Sequence, residues 1–300
     1  MKGDTYMFGA IEAGGTKMVC GIGMETGEII RHTSIPTTTP EETMARIFEF
    51  FAGESIEALG VGTFGPVDLD PDSDTYGHIT TTPKVRWANY PLYETLKSHF
   101  GVPVILDTDV NGAAFGEMKF GGAKDVSSCV YMTVGTGIGA GAVIDGELVH
   151  GMGHPEMGHI LVRRHPSDDS NGVCPYHGDC LEGLASGPAI EARSGVKGHL
   201  LDETDETWDI EADYLAQALM NFALIIAPQR IILGGGVMKQ QHVFPKVREA
   251  FKEKLNGYIQ NQYVDNVETY IVPPTLGDFA GLKGALALAI YKEDIHHARR

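Results

Sequence analysis

Positive charge is scarce in this chain. Its 300 residues carry 23 Lys and Arg against 40 Asp and Glu, a formal net charge of −17. Proteins that bind nucleic acid neutralise phosphates with Lys and Arg, so this balance argues against a nucleic-acid partner. No apolar run approaches the roughly 18 to 20 residues of a membrane span, and the polar N-terminus does not resemble a signal peptide. The sequence therefore predicts a cytoplasmic protein with neither a membrane nor a nucleic-acid partner.

Cysteine is also rare, and four residues in a chain of this length exclude a disulfide-based scaffold. Cys20 and Cys129 lie in apolar segments typical of strands and are interpreted as core residues. Two further cysteines lie instead in a Gly/Pro-rich loop, in the pattern H-x14-C-x2-H-x2-C. Two nitrogens and two sulfurs suit a structural zinc site better than four unrelated side chains. The predicted ligands are His159, Cys174, His177 and Cys180.

No Walker phosphate loop, G-x-x-x-x-G-K-[ST], is present. Glycine is nevertheless abundant, with 38 residues. Two strand–turn–strand segments contain glycine turns, at residues 14–16 and 135–137, and a third cluster at 234–236 follows an apolar strand. One such turn alone is more often an ordinary hairpin, because short glycine patterns have many false positives. The three together predict two phosphate loops and a nucleoside loop.

Strands and helices alternate along the chain, which predicts an α/β fold. The repeated strand–turn–strand segment favours two similar halves. We place an N-terminal domain over residues 1–114 and a C-terminal domain over residues 115–280. An apolar helix within residues 281–300 is expected to pack back on the N-terminal domain.

Taken together, these motifs resemble the ROK family (repressor, open reading frame, kinase), and in particular its bacterial zinc-containing fructokinase branch. The resemblance covers nearly the whole chain and rests on the segments EAGGTK, FGPVD, TDVNGAAFGE, TVGTGIGAG, HPEMGH, CPYHGDCLEGLASGPAIEAR and LGGGV. It implies a two-domain actin/hexokinase-like (ribonuclease H-like) ATPase fold with a cleft between the domains. It also implies a homodimer that uses ATP and Mg²⁺ to phosphorylate a hexose, with D-fructose at its 6-hydroxyl as the first expectation.

Mannose, glucose and N-acetylated hexosamines remain alternative substrates, because specificity among hexoses depends on hydroxyl placement. A sugar-responsive repressor is a different possibility within the same family. Such repressors carry an N-terminal helix-turn-helix domain, for which the segment before the first strand leaves no room. An ATP-driven protein of the actin or chaperone kind does not fit the predicted zinc site.

Two acidic residues follow the apolar strand that begins at Val102, and either Asp107 or Asp109 suits a ligand-facing position or a helix cap. Phosphoryl transfer needs a carboxylate that accepts the proton of the attacking hydroxyl. The family motif selects Asp109 as this base and Asn111 as a nearby sugar or structural ligand. Thr108 stands where the family commonly has Asn, so no sugar role is carried over to it.

The resemblance also assigns nucleotide-binding residues. Glu12 stands where the family usually has an Asp that positions magnesium, so its contact with the metal is expected to run through water. The full predicted set is Glu12, Gly14, Gly15, Thr16, Lys17, Thr133, Gly135, Thr136, Gly137, Gly187, Pro188, Gly234, Gly235 and Gly236.

The sugar ligands are expected around the zinc site. Glu156 and His159 are three residues apart and share one side of a helical turn, so fixing the His159 ring fixes Glu156. The resemblance implies that both grip sugar hydroxyls together with Glu182, and that Pro83 lies over the sugar. His177 takes a position that the family usually gives to a cysteine.

Overall fold

The computed structural model describes residues 6–82 and 84–291. These residues form two compact units. Unit 1 comprises the described residues up to 125, residues 146–154, and the described residues from 275 onward. Unit 2 comprises residues 126–145 and 155–274.

Strands and helices alternate in both units. Over the described residues the strands are β1 (Met7–Ala13), β2 (Lys17–Met24), β3 (Ile29–Pro36), β4 (Leu59–Thr63), β5 (Val104–Thr108), β6 (Cys129–Val134), β7 (Ile138–Ile144), β8 (Glu147–Leu148), β9 (Arg230–Gly234) and β10 (Ile271–Val272). The helices in the same ranges are α1 (Pro40–Phe51), α2 (Leu92–Phe100), α3 (Asp109–Phe120), α4 (Leu181–Ala185), α5 (Gly187–Ser194), α6 (Thr207–Ile225), α7 (Val243–Leu255), α8 (Val267–Tyr270) and α9 (Ala280–Ile290). Among these described helices, none combines the length and apolarity that a bilayer crossing demands.

Two sheets repeat one strand order. The first runs β3-β2-β1-β4-β5 and the second β8-β7-β6-β9-β10, each five-stranded over the described residues. In the first sheet β1 pairs antiparallel with β2 and parallel with β4. In the second, β6 pairs antiparallel with β7 and parallel with β9. The predicted α/β class with two similar halves is confirmed.

Burial explains why the central strands and α9 read as apolar runs. All five residues of β4 and of β5 are buried, as expected for parallel strands covered on both faces. α9 is buried on nearly every side and packs against α3, β1 and β4 in unit 1, which is typical of a helix without a polar face. The rest of the predicted C-terminal segment, residues 292–300, lies outside the described residues.

The predicted domain boundary after residue 114 falls inside α3. This helix lies wholly in unit 1, where it packs against α9. Where the folding domains divide stays a prediction.

Candidate functional site

The first glycine turn joins β1 to β2. Gly14 N–H donates to the Lys17 carbonyl at 3.0 Å, and the Thr37 hydroxyl donates to the Gly14 carbonyl at 2.7 Å. The turn is thus held from both sides while Thr16 and Lys17 are exposed. Lys84 also lies here: its side chain comes to 3.2 Å from where a Cβ on Gly15 would stand. Sequence analysis missed Lys84, since only its place in the TTTPK segment could have suggested it.

Glu12, at the end of β1, directs its carboxylate to the N-terminus of α9. The Leu282 N–H donates to it, and Gly281 leaves it room, since a Cβ there would collide with the carboxylate. Burial and, to a smaller extent, the charge of Asp109 raise the pKa of Glu12, whereas Lys17 and the Leu282 N–H lower it, and the net result is a pKa of about 7. Two carboxylates that repel each other favour a shared cation. This oxygen-donor set therefore fits Mg²⁺.

Asp109 is the first residue of α3. The Thr108 side chain caps this helix by accepting from Asn111 N–H at 3.1 Å. Asp109 is partly exposed, whereas Asp107 and Asn111 are each only 1% exposed. The Asn111 amide donates to Asp107 Oδ1 at 2.8 Å. These contacts support a structural role for Asn111 and leave Asp109 as the accessible carboxylate.

Unit 2 contains a cavity of about 370 Å³ where its three glycine-containing loops meet. The Gly187 N–H donates to the Gly135 carbonyl at 2.7 Å, which joins the second glycine turn to the start of α5. The cavity is lined by Gly135, Thr136, Gly187, Pro188, Glu191, Lys197, Gly198, His199, Trp208, Gly236, Val237 and Gln240. A cavity of this size suits a small ligand such as a nucleoside.

The sequence identified only part of this cavity. Several wall residues were not predicted as ligands: Glu191, Lys197, Gly198, His199, Trp208, Val237 and Gln240. Glu191 and Val237 lie within quoted motifs, whereas no local motif marks the other five. Gly137, Gly234 and Gly235 were predicted but are not on the wall. Thr133, also predicted, is not on the wall either, and its Oγ1 is 2.7 Å from where a Cβ on Gly235 would stand.

The four predicted zinc ligands converge in unit 2. Their nearest ligand atoms all lie within 4.8 Å of one another. The Cys174 Sγ is 3.7 Å from both His159 Nδ1 and His177 Nδ1, and the Cys180 Sγ is 3.5 Å from His159 Nδ1. Zn–S bonds of about 2.3 Å and Zn–N bonds of about 2.0 Å place tetrahedral N and S ligands about 3.6 Å apart. The cluster therefore fits zinc.

Local backbone structure holds these ligands in position. Cys174 and Gly178 exchange backbone hydrogen bonds of 3.2 and 2.9 Å, which forms a tight loop around His177. Cys180 immediately precedes α4, and the Leu181 N–H donates to the Ile160 carbonyl at 2.9 Å. The two halves of the metal cluster are thus tied together by the backbone.

The predicted sugar ligands lie around this cluster. Glu156 is exposed and precedes a 3-10 turn that ends at His159, whose N–H donates to the Glu156 carbonyl at 3.0 Å. Glu182 is the second residue of α4, and its carboxylate binds the backbone of the second glycine turn. Pro83, the remaining predicted sugar ligand, lies outside the described residues.

A buried ionic network supports the loop that carries the metal ligands. Arg193 of α5 lies 3.0 Å from Asp168 Oδ2 and also donates to the Leu184 carbonyl. Tyr214 of α6 donates to the same Asp168 oxygen at 2.7 Å. Although burial opposes it, hydrogen bonds from Tyr214, Ser170 and Arg193 hold the pKa of Asp168 below its ordinary range. Asp168 therefore stays ionised and anchors the loop to both helices.

Residues 8–292 match the profile of the ROK family. A provisionally named fructokinase of Bacillus subtilis is 52% identical over 94% of this chain and 95% of its own length. The fructokinase of Pediococcus pentosaceus is 47% identical over 94% of this chain and 97% of its own.

A solved structure shares the fold. It is a ROK family glucokinase of Streptomyces griseus, in complex with glucose and AMPPNP, at 26% identity and a TM-score of 0.73. The match covers 95% of this chain and 99% of that one. The family match over residues 8–292 is accompanied by two sheets of the same strand order and by a His/Cys cluster that fits a metal. The chain belongs to the ROK family.

Proposed function

We propose that this protein is an ATP-dependent fructokinase that forms fructose 6-phosphate. The proposal rests first on Asp109, a partly exposed carboxylate at the start of α3, close enough to Glu12 to raise its pKa. Relatives at 47% and 52% identity bear the fructokinase name over nearly their full length. The glucokinase structure was determined with AMPPNP, an ATP analogue, which supports ATP as the phosphoryl donor.

Each unit contributes its own part of the chemistry. In unit 1, Asp109 accepts the proton of the attacking sugar hydroxyl, and the turn at residues 14–16 offers backbone N–H groups to phosphate. Lys84 and Lys17 add positive charge beside that turn. In unit 2, the 370 Å³ cavity binds the nucleoside, and the turn at 135–137 offers a second set of N–H groups.

Two metals complete the proposal. Mg²⁺, when bound near Glu12, would neutralise charge on the phosphates. Zinc would be held by His159, Cys174, His177 and Cys180 and would have a structural role. Fixing His159 would hold the 3-10 turn that begins after Glu156 and so position Glu156, while α4 positions Glu182. These three residues are proposed to bind the sugar hydroxyls.

A coupled ADP-release assay tests the function. The purified protein is supplied with Mg-ATP and, in turn, fructose, mannose, glucose, N-acetylglucosamine and N-acetylmannosamine. We expect kcat/KM for fructose to exceed the others by at least about tenfold. Absence of ADP release with every hexose would refute the kinase proposal, and a higher value for another hexose would refute fructose alone.

Asp109→Asn tests the base. We expect kcat to fall by about 10² to 10⁴, the usual contribution of a general base, while fructose binding measured by calorimetry is retained. Near-normal turnover would remove Asp109 from the mechanism. Asp107→Asn is not a suitable control, because Asp107 is buried among hydrogen-bond donors.

The expected homodimer stays a prediction. It draws support from two large apolar side chains beside the zinc cluster, Leu161 and Tyr176, which are 75% and 70% exposed. Light scattering across a concentration series tests it, and a monomeric mass at micromolar concentration would contradict it. Residence in the cytoplasm and the absence of nucleic-acid and membrane partners also stay predictions.

A further inference from the structure

Residues 146–154 belong to unit 1 and are attached to it by two histidines. The His150 Nε2 lies 2.7 Å from Asp107 Oδ2. The His154 Nε2 accepts from the Val67 N–H at 3.3 Å. Side-chain hydrogen bonds thus fix this segment near the carboxyl end of β5, where ligands bind in open α/β sheets.

Asp107 is fixed by the donors around it. Its Oδ1 accepts from the Thr108 N–H and from the Asn111 amide, both at 2.8 Å. Only Oδ2 then faces His150, and the Asp107 side chain is 1% exposed. The hydrogen bonds to Oδ1 therefore fix the position of Oδ2 independently of His150.

This geometry determines how the His150 ring is oriented. A carboxylate only accepts hydrogen bonds, so the Nε2 that faces Asp107 carries the hydrogen. In the neutral ring, Nδ1 is then an acceptor. Within the described residues no hydrogen bond to Nδ1 is formed, and the side chain is 22% exposed. One face of His150 is held by a buried carboxylate while the other is open to a ligand.

We propose that His150 is a further sugar-binding residue: its Nδ1 accepts a hydrogen bond from one hexose hydroxyl, and Asp107 holds the ring for that contact. Asp107 lies two residues before Asp109, the proposed base. The His150 ring therefore lies at the same end of β5 as the proposed base. The role is positioning, and proton removal stays with Asp109. This inference rests on the proposed function.

The test compares His150→Phe with His150→Gln. Phe keeps the ring volume but neither hydrogen bond, whereas the Gln amide can donate to Asp107 and accept from a hydroxyl. We expect His150→Phe to raise the KM for fructose roughly tenfold with the KM for ATP unchanged. His150→Gln is expected to stay within about threefold of the wild type.

Monodeoxy fructoses separate a direct contact from a structural effect. If His150 binds one hydroxyl, the analogue without that hydroxyl gives the same kcat/KM with the wild type and with His150→Phe, because the contact is already lost. If every analogue loses the same factor in His150→Phe as fructose does, the proposal is overturned. His154→Phe is the matched control in the same segment, and hydroxyl-specific coupling there would overturn the proposal too.

A measurement on the unmodified protein covers the case in which a variant does not fold. With ¹⁵N-labelled histidine, the Nδ1 resonance of His150 is assigned as the one that is absent in His150→Gln, or by another assignment method. This resonance should shift when fructose is added without ATP. An unchanged resonance at saturating fructose would contradict the contact. Failure of the wild type to phosphorylate any hexose would instead contradict the proposed function. If the protein prefers another hexose, the same test is made with the monodeoxy analogues of that hexose.

Discussion

Glu182, two residues after the predicted zinc ligand Cys180, accepts a hydrogen bond at 3.0 Å from the N–H of Ile138, which directly follows the second glycine turn. The turn is built for this approach, because a Cβ on Gly137 would come within 2.6 Å of the Glu182 carboxylate. A proposed sugar ligand therefore also sets the backbone of a proposed phosphate loop. Under the proposed function, sugar and nucleotide binding would depend on the same carboxylate of unit 2.

Replacing Glu182 should consequently affect both substrates. We expect Glu182→Ala to lower kcat/KM by about 10- to 100-fold, since a charge-assisted hydrogen bond contributes roughly 1.5–3 kcal/mol, and to raise the KM for both ATP and fructose. Initial rates with each substrate varied in turn measure this. Glu206→Ala, which removes an exposed carboxylate of the same unit, serves as the control. An unchanged KM for ATP would show that the turn does not depend on Glu182.

Zinc removal should destabilise unit 2. We expect about one zinc per chain in the purified protein and less than about a fifth of that in Cys174→Ser. Because the metal ligands link three separate parts of an irregular loop, the thermal midpoint of that variant should fall by about 10 °C. Metal analysis and calorimetry measure both quantities.

Cys129→Ala provides the control for this experiment, because Cys129 is a buried thiol of β6 outside the metal cluster. It should keep the full zinc content even if its core packing is weakened. Full zinc content in Cys174→Ser would contradict the assigned ligand set.

Glu211 should make stability depend on pH. It is fully buried on α6, and neither carboxylate oxygen has a hydrogen-bond partner among the described residues. Burial raises its pKa well above the ordinary value of 4.5, and Arg193 opposes this only in part. Between 4.5 and the raised pKa, the folded protein holds a proton that the unfolded chain has released, so stability falls as pH rises through this window.

The matching substitution is Glu211→Gln, which removes the titration and keeps the shape. Relative to the wild type, its free energy of unfolding should improve as pH rises from about 5, by up to about 1.4 kcal/mol per pH unit. Urea unfolding at pH 5, 6, 7 and 8 measures the difference. A difference that is the same at all four values would mean that Glu211 has the same charge in the folded and unfolded states.

Glu117 should be important for the stability of unit 1. This buried carboxylate of α3 accepts from the Gly122 N–H at 2.7 Å, the Thr275 hydroxyl at 2.9 Å and the Leu276 N–H at 3.0 Å. Glu117→Ala leaves these donors without a partner and should cost about 3 kcal/mol or more. Thr275→Val removes one of the three bonds and should cost about 1 kcal/mol. Equal losses in urea unfolding would contradict this account.

Sequence patterns predicted the local features correctly where the chemistry itself is local. The spacing of two histidines and two cysteines predicted a metal cluster, and the structure places their four ligand atoms within 4.8 Å of one another. The repeated strand–turn–strand segment gave two sheets of one strand order. Both follow because a turn or a ligand loop is encoded within about twenty residues.

Long-range pairings could not be predicted in this way. His150 meets Asp107 across 43 residues, Glu12 meets the start of α9, and Lys84 lies against Gly15. Asn111 was expected to be a sugar or structural ligand, and its burial against Asp107 favours the structural role. No motif carries this information, because burial and side-chain partners depend on how the whole unit packs.

By itself, then, the sequence determined the α/β class, the glycine turns, the metal ligands and the family. Only the tertiary structure decided which carboxylates are buried, which face a partner and which line the cavity of unit 2. The physical reason is that backbone turns and ligand spacing are properties of short segments. Desolvation and hydrogen-bond pairing, in contrast, are set by residues distant in the chain that packing brings together.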